Sequence, residues 1–139
     1  MSARWLLGLL GLLQLGCASS VTSLMHDSYW IQLPASYTKQ DCMRTVAEVR
    51  RYALSAGYHS EDWQIHGGER LALFQRGDLS IDFLRRDGDC HINVTSGGYS
   101  ARPPAIAERK RLHSVLTAHG IQARVEHGHE MVEIIDYSR

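Results

Sequence analysis

The sequence predicts an α+β fold, a two-layer sandwich in which two helices pack on one face of a mainly antiparallel sheet. Three observations predict it. Apolar runs follow one another between glycine-centred turns, two segments carry apolar residues at helical spacing, and the strands come in runs instead of alternating strictly with helices. The predicted order is β-α-β-β-β-β-α-β-β, in a single domain over residues 28–139.

A strand over residues 28–33 (SYWIQL) and a helix that begins at Thr38 open this order. The Thr38 hydroxyl can accept from the free amides of the first turn, and Asp41, three residues later, completes a capping box. Gly57 ends the helix. The apolar positions of the helix recur at steps of four and three, and are Cys42, Val46, Val49, Ala53 and Ala56.

Four strands are predicted between residues 62 and 95, each separated from the next by a glycine-centred turn. The turns are His66–Glu69, Arg76–Asp78 and Asp87–Asp89. In the last strand, Cys90, Ile92 and Val94 alternate with polar residues, as expected when only one face of a strand is buried. Cys90 is therefore predicted to point into the core.

A second helix and a hairpin complete the predicted domain. Pro103 and Pro104 open the helix, Gly120 follows it, and Leu112, Val115 and Leu116 form its apolar stripe. Strands over residues 121–126 and 131–136 are predicted to flank a turn made by His127, Gly128, His129 and Glu130.

The first residues are typical of a secretory signal peptide, with one positive charge at Arg4 and an apolar run over residues 5–15. That run is too short for a membrane span, which needs about 20 apolar residues. Residues 13–17 (LQLGC) resemble the lipobox of bacterial lipoproteins. In that family the chain is cleaved before the cysteine, the thiol receives diacylglycerol and the new amino terminus is acylated.

The resemblance implies that residues 1–16 are removed, that Cys17 is lipidated, and that residues 17–27 form a short tether to the membrane. In such lipoproteins an Asp after the cysteine retains the protein in the inner membrane. Ala18 at this position implies the periplasmic side of the outer membrane. The alternative is cleavage after Ala18 as an ordinary signal peptide, which would release a soluble periplasmic or secreted protein.

Assigning Cys17 to lipid leaves Cys42 and Cys90 as a pair. Export from the cytoplasm permits a disulfide, and we predict one between these two cysteines. The alternative is two buried thiols that do not meet. The bond would close a loop of about 49 residues, which corresponds to roughly 4 kcal/mol of stability if it acts on chain entropy.

The charge balance and the end of the sequence bear on function. The chain has 15 basic and 15 acidic residues, without the basic excess of nucleic-acid-binding proteins, so no nucleic-acid partner is expected.

Residues 112–134 resemble the helix, glycine, strand, turn, strand unit of envelope modules such as peptidoglycan-binding SPOR domains and the ring-building motif of secretion-system lipoproteins. The resemblance implies an envelope assembly or binding role.

The best candidate metal ligands are His127, His129 and Glu130, because imidazole and carboxylate groups bind first-row metals and alternate strand positions share one face. His113 or His119 is the candidate for a further ligand. We expect a solvated hairpin tip here and no metal site, and metal binding through these residues is the alternative. The charged run Glu108–Arg111 is expected to be a solvated helix face, with contact to acidic lipid headgroups as the alternative.

No catalytic set of Ser, His and Asp, and no pair of catalytic carboxylates, can be assembled from spacing alone, and no cofactor is expected. The sequence therefore predicts a non-catalytic envelope lipoprotein, anchored in the membrane through Cys17, that binds an envelope protein or the cell wall. The alternative is a small periplasmic metal-binding protein or enzyme that uses His127 and His129.

Overall fold

The computed structural model describes residues 20–61 and 69–136. The predicted signal peptide and Cys17 lie outside these residues. The chain forms two units, one made of residues 27–129 and the other of the two chain ends, of which residues 20–26 and 130–136 are described. The helices and the core belong to the unit of residues 27–129.

The structure has six strands and two helices in the described part of the chain, which confirms the predicted α+β class. They are β1 (Ser20–Gln32), α1 (Lys39–Ser55), β2 (His59–Ser60), β3 (Arg70–Arg76), β4 (Leu79–Arg86), β5 (Asp89–Ser96), α2 (Pro103–Ala118) and β6 (Arg124–Asp136). The strands form one antiparallel sheet in the order β2-β3-β4-β5-β1-β6. The first strand is therefore internal, between β5 and β6.

Both helices pack on one face of this sheet. They contact each other, and α1 lies against β3 while α2 lies against β5. The strand side chains beneath them are fully buried and apolar, and include Phe74, Ile81, Phe83, Ile92 and Val94. This is the predicted two-layer arrangement, because alternate residues of each strand face the helices.

The disulfide between Cys42 and Cys90 is present, as predicted, with the two Cα atoms 6.3 Å apart. It joins the first turn of α1 to the start of β5.

The capping box of α1 is also confirmed, because the Asp41 amide donates to the Thr38 hydroxyl (3.2 Å) and the Thr38 amide donates to the Asp41 carboxylate (2.9 Å). In contrast, α2 begins at two prolines, and Arg102 before them makes no side-chain cap.

Three strands differ from the prediction. Strand β1 begins at Ser20 instead of Ser28, so residues 20–27, which we had assigned to the tether, are extended. Strand β2 is His59–Ser60, and residues 62–68, where the first of the four central strands was predicted to begin, lie outside the described residues.

The predicted C-terminal hairpin is wrong, because Arg124–Asp136 is one continuous strand and not two strands around a turn. Gly128 was interpreted as a turn residue. Its backbone instead packs against the Trp30 side chain, since a β-carbon placed on Gly128 would lie 3.0 Å from Cη2 of the indole. The glycine therefore serves cross-strand packing, and His127–Glu130 lies within the strand.

Candidate functional site

Three ligand-bearing side chains meet where β1 and β6 lie side by side. One carboxylate oxygen of Asp27, Oδ1, lies 3.2 Å from Nε2 of His127 and 3.1 Å from Nδ1 of His129. The two histidines are alternate residues of β6 and so project from the same face. The ligand atoms of all three residues lie within 4.8 Å of one another. This is the only such group of three or more metal-ligating residues among the side chains that the structure describes.

The cluster is supported from the helix layer through Tyr29. The Tyr29 ring stacks on the His127 ring, with their centroids 4.6 Å apart. The guanidinium group of Arg109, on α2, lies 4.9 Å from the centroid of the Tyr29 ring. Ser100 is hydrogen-bonded to both Tyr29 and Arg109. Its hydroxyl accepts from the Tyr29 backbone amide (2.8 Å), and its carbonyl oxygen accepts from the Arg109 guanidinium (2.9 Å). The His127 ring is therefore stacked on a tyrosine that the rest of the domain fixes in place.

The structure thus brings the predicted residues His127 and His129 together and adds Asp27, which the sequence interpretation missed. Asp27 lies 100 positions from His127, so no local spacing could have indicated it. The suggested further ligands lie elsewhere. His113 Nε2 is 2.8 Å from the Ala123 carbonyl oxygen, and His119 is paired with Glu48 at 3.2 Å. The Glu130 side chain is outside the described residues.

Only half of the charged run on α2 is the solvated face that the sequence predicted, because Lys110 and Arg111 are exposed whereas the two residues before them are buried. Glu108 is 1% exposed and Arg109 is 4% exposed. The Glu108 carboxylate accepts from the Tyr52 hydroxyl and from Arg111 (2.8 Å), and Arg76 lies 3.7 Å away. Glu108 therefore joins the two helices to the end of β3, and contact of Glu108 and Arg109 with lipid headgroups is excluded by their burial.

The buried carboxylate of Glu108 affects the pKa values of two tyrosines. Burial, together with the hydrogen bond and the negative charge of Glu108, raises the pKa of Tyr52 to about 12. Burial and the Glu108 charge also raise the pKa of Tyr58 above its ordinary value, against the lowering effect of Arg76. The two arginines and the Tyr52 hydroxyl occupy the carboxylate, which makes this a structural network and not a free acid or base.

A groove of about 310 Å³ lies beside the first turns of α1 and the loop after α2. Its charged groups are already paired with one another. Asp41 belongs to the capping box, whose hydrogen bonds from Thr38 hold the pKa of Asp41 below its usual value, and Glu48 is paired with Arg51 and His119. The groove therefore offers little charge to a ligand.

The sheet face opposite the helices carries a mixed row of side chains across four strands. The register places Leu73, Asp82, Asn93 and Trp30 side by side on β3, β4, β5 and β1. Arg70 binds Asp82 through two hydrogen bonds of 2.8 Å. Next to this row, burial lowers the pKa of His91. Both described helices pack on the other face. In this row Asp82, Asn93 and Trp30 are half-buried, whereas Leu73 is 5% exposed and therefore buried.

Comparison with protein-family models, with curated proteins and with solved structures finds no match to this chain. Within residues 20–61 and 69–136, neither helix is long and apolar enough to cross a membrane.

Proposed function

We propose that this chain is a lipid-anchored protein of the bacterial cell envelope whose α+β domain is a non-catalytic binding or assembly module. Acylated Cys17 is its anchor, and the periplasmic side of the outer membrane is its favoured location, because Ala18 and not Asp follows the cysteine. Processing after Ala18 to a soluble periplasmic or secreted protein is the alternative.

The disulfide between Cys42 and Cys90 is the observation that carries the proposal. Persistent structural disulfides belong to oxidising compartments such as the periplasm and the cell exterior. Both cysteines are buried, at the joint between α1 and β5, where the bond acts on the fold and not on chemistry at the surface. This supports export, and it agrees with the signal peptide that the first residues predict.

The sheet face opposite the helices supports a binding role. There the half-buried Asp82, Asn93 and Trp30 lie beside the buried Leu73, so the row mixes apolar, amide and paired charged groups, whereas the other face of the central strands is mainly apolar and covered by helices. Transient protein interfaces have such a mixed composition and are enriched in aromatic residues. We therefore favour an envelope protein as the partner, with the cell wall as the other outcome of the test.

The anchor is tested by labelling cells with radioactive palmitate. We expect label in the wild-type protein and none in Cys17→Ala, which should also leave the detergent-extracted membrane fraction. Ala18→Asp is the matched variant, because by the lipoprotein resemblance it should keep the label and move the protein to the inner membrane. Absence of label from the wild type would contradict the anchor.

The binding face is tested with a photo-crosslinking amino acid placed at Asn93, a half-buried residue in the middle of this row. A matched control places the same group at Lys110, an exposed position on α2. We expect one protein adduct from intact envelopes with Asn93 and none with Lys110. Attachment to cell-wall fragments would identify the wall instead, and equal adducts from both positions would contradict a role for this face.

A further inference from the structure

We propose that Asp27, His127 and His129 bind a divalent transition-metal ion such as Zn²⁺ through two imidazole nitrogens and one carboxylate oxygen. This goes beyond the binding role proposed above, and its three ligands project from the sheet face opposite to the row around Asn93.

Two of the three distances between the ligand atoms suit such an ion. Oδ1 of Asp27 is 3.2 Å from Nε2 of His127 and 3.1 Å from Nδ1 of His129. A tetrahedral Zn²⁺ with ligands at about 2.0–2.1 Å sets its ligand atoms about 3.3 Å apart. The metal would replace the contacts that now join the rings to the carboxylate, and the ligand nitrogens of the two rings, which lie within 4.8 Å of each other, would close on the ion.

The ligand set selects the kind of ion. Imidazole nitrogens favour Zn²⁺, Ni²⁺ and Cu²⁺, whereas Ca²⁺ and Mg²⁺ prefer oxygen ligands in larger numbers. Three protein ligands leave a further coordination position for water, as in zinc sites that are not purely structural. The side chains are 51%, 46% and 61% exposed for Asp27, His127 and His129, so an ion can reach them directly from solvent.

The surroundings hold the ligands before an ion arrives. Tyr29 stacks on His127 and is itself fixed by Arg109 and Ser100. On the opposite face of the two strands, Trp30 packs on Gly128, the residue between the two histidines. Since contacts that orient ligands contribute to metal affinity, this support distinguishes the site from histidines that are merely near each other.

The test is a calorimetric titration of the full chain, purified in detergent without a polyhistidine tag, with ZnCl₂, CuSO₄ and CaCl₂. We expect one Zn²⁺ or Cu²⁺ per chain and no binding of Ca²⁺. Asp27→Asn, His127→Gln and His129→Gln should each weaken Zn²⁺ binding by roughly tenfold or more. His119→Gln is the matched control, because it removes an exposed histidine elsewhere and should bind Zn²⁺ as the wild type does.

A wild type that binds neither Zn²⁺ nor Cu²⁺, or site variants that bind like the wild type, would overturn the proposal. Electron paramagnetic resonance of the Cu²⁺-loaded wild type provides a measurement that does not depend on whether a variant folds. It should show coupling to two imidazole nitrogens, and coupling to none would also overturn the site. Neither result bears on the crosslinking at Asn93, so this proposal and the proposed function can fail separately.

Discussion

The two helices are attached to the same sheet by different means. Helix α1, of 17 residues, buries an apolar face and is bonded to β5 through Cys42 and Cys90. Helix α2, of 16 residues, buries Leu112 and Leu116 but also Glu108 and Arg109. The attachment of α1 should therefore respond to reduction and that of α2 to pH and charge, although both helices lie in one layer.

The largest effect is expected from breaking the covalent attachment of α1. The double variant Cys42→Ala/Cys90→Ala should lose about 4 kcal/mol of unfolding free energy, because the unfolded chain regains the freedom of the closed loop. Guanidinium denaturation measures this, with dithiothreitol added to the wild type as a second route to the same state. A loss below about 1 kcal/mol would show that apolar packing alone holds α1 in place.

The attachment of α2 to the rest of the domain can be weakened by replacing its buried carboxylate, Glu108. Glu108→Gln should cost about 2 kcal/mol, because Tyr52, Arg76 and Arg111 lose a charged acceptor. Arg111→Gln is the matched control. Since Arg111 is 58% exposed, its pairing is screened by solvent and its loss should cost less than about 1 kcal/mol. Equal losses from the two variants in urea denaturation would contradict a central role for Glu108.

A smaller effect is expected from the hydrogen bond that Tyr52 donates to Glu108, which makes the attachment of α2 depend on pH. Tyr52→Phe should cost about 1.5 kcal/mol at neutral pH, because a hydrogen bond to a charged group is lost. The pKa of Tyr52 is raised to about 12 in the folded protein, so its proton is held more tightly there than in the unfolded chain.

The stability that comes from this raised pKa is fully present below the ordinary tyrosine pKa of about 10 and is lost as the pH rises towards about 12. Denaturation curves over this range, with tyrosinate absorbance measured in parallel, should show a steeper decline for the wild type than for Tyr52→Phe. Parallel declines would contradict the shift.

The smallest expected effect concerns the start of α1, which has a side-chain cap that α2 lacks. Thr38→Ala should cost about 1 kcal/mol, because an amide of the first turn loses its acceptor. Lys39→Ala, at the next exposed position, is the control and should change the free energy of unfolding by less than about 0.5 kcal/mol. Thermal unfolding of the two variants side by side measures the difference, and similar midpoints would contradict the role of the cap.

The same contrast explains how far the fold could be predicted. Helix α1 was predictable because its buried positions are mostly apolar at regular spacing and its two capping residues are only three positions apart. The charged run on α2 was not. Consecutive helix residues point about 100° apart, so a run of four charges surrounds the helix and some of them must face inward. The groups that donate hydrogen bonds to Glu108 there include the Tyr52 hydroxyl, 56 positions away in the chain, which no local pattern indicates.

The residues of the candidate site could also be predicted only where a local sequence pattern indicates them. His127 and His129 could be selected from their spacing in a strand, because alternate residues share a face. Asp27 could not, since its place beside them depends on β1 lying next to β6 in the sheet. The hairpin prediction failed for a related reason, because Gly128 meets the packing needs of Trp30 on that neighbouring strand and not those of a turn.

The internal position of β1 sets an order for folding. Its two neighbours, β5 and β6, both come much later in the chain, so β1 must wait unpaired while the segments between them are made or exported. Contacts between distant segments slow folding, and unpaired strand edges favour aggregation. The bond from Cys42 to Cys90 can form before β6 is available, and would hold α1 on the meander of β3 to β5 until the last strand closes the far side of β1. The molecule is thus expected to be most vulnerable to misassembly just before its C-terminal strand arrives.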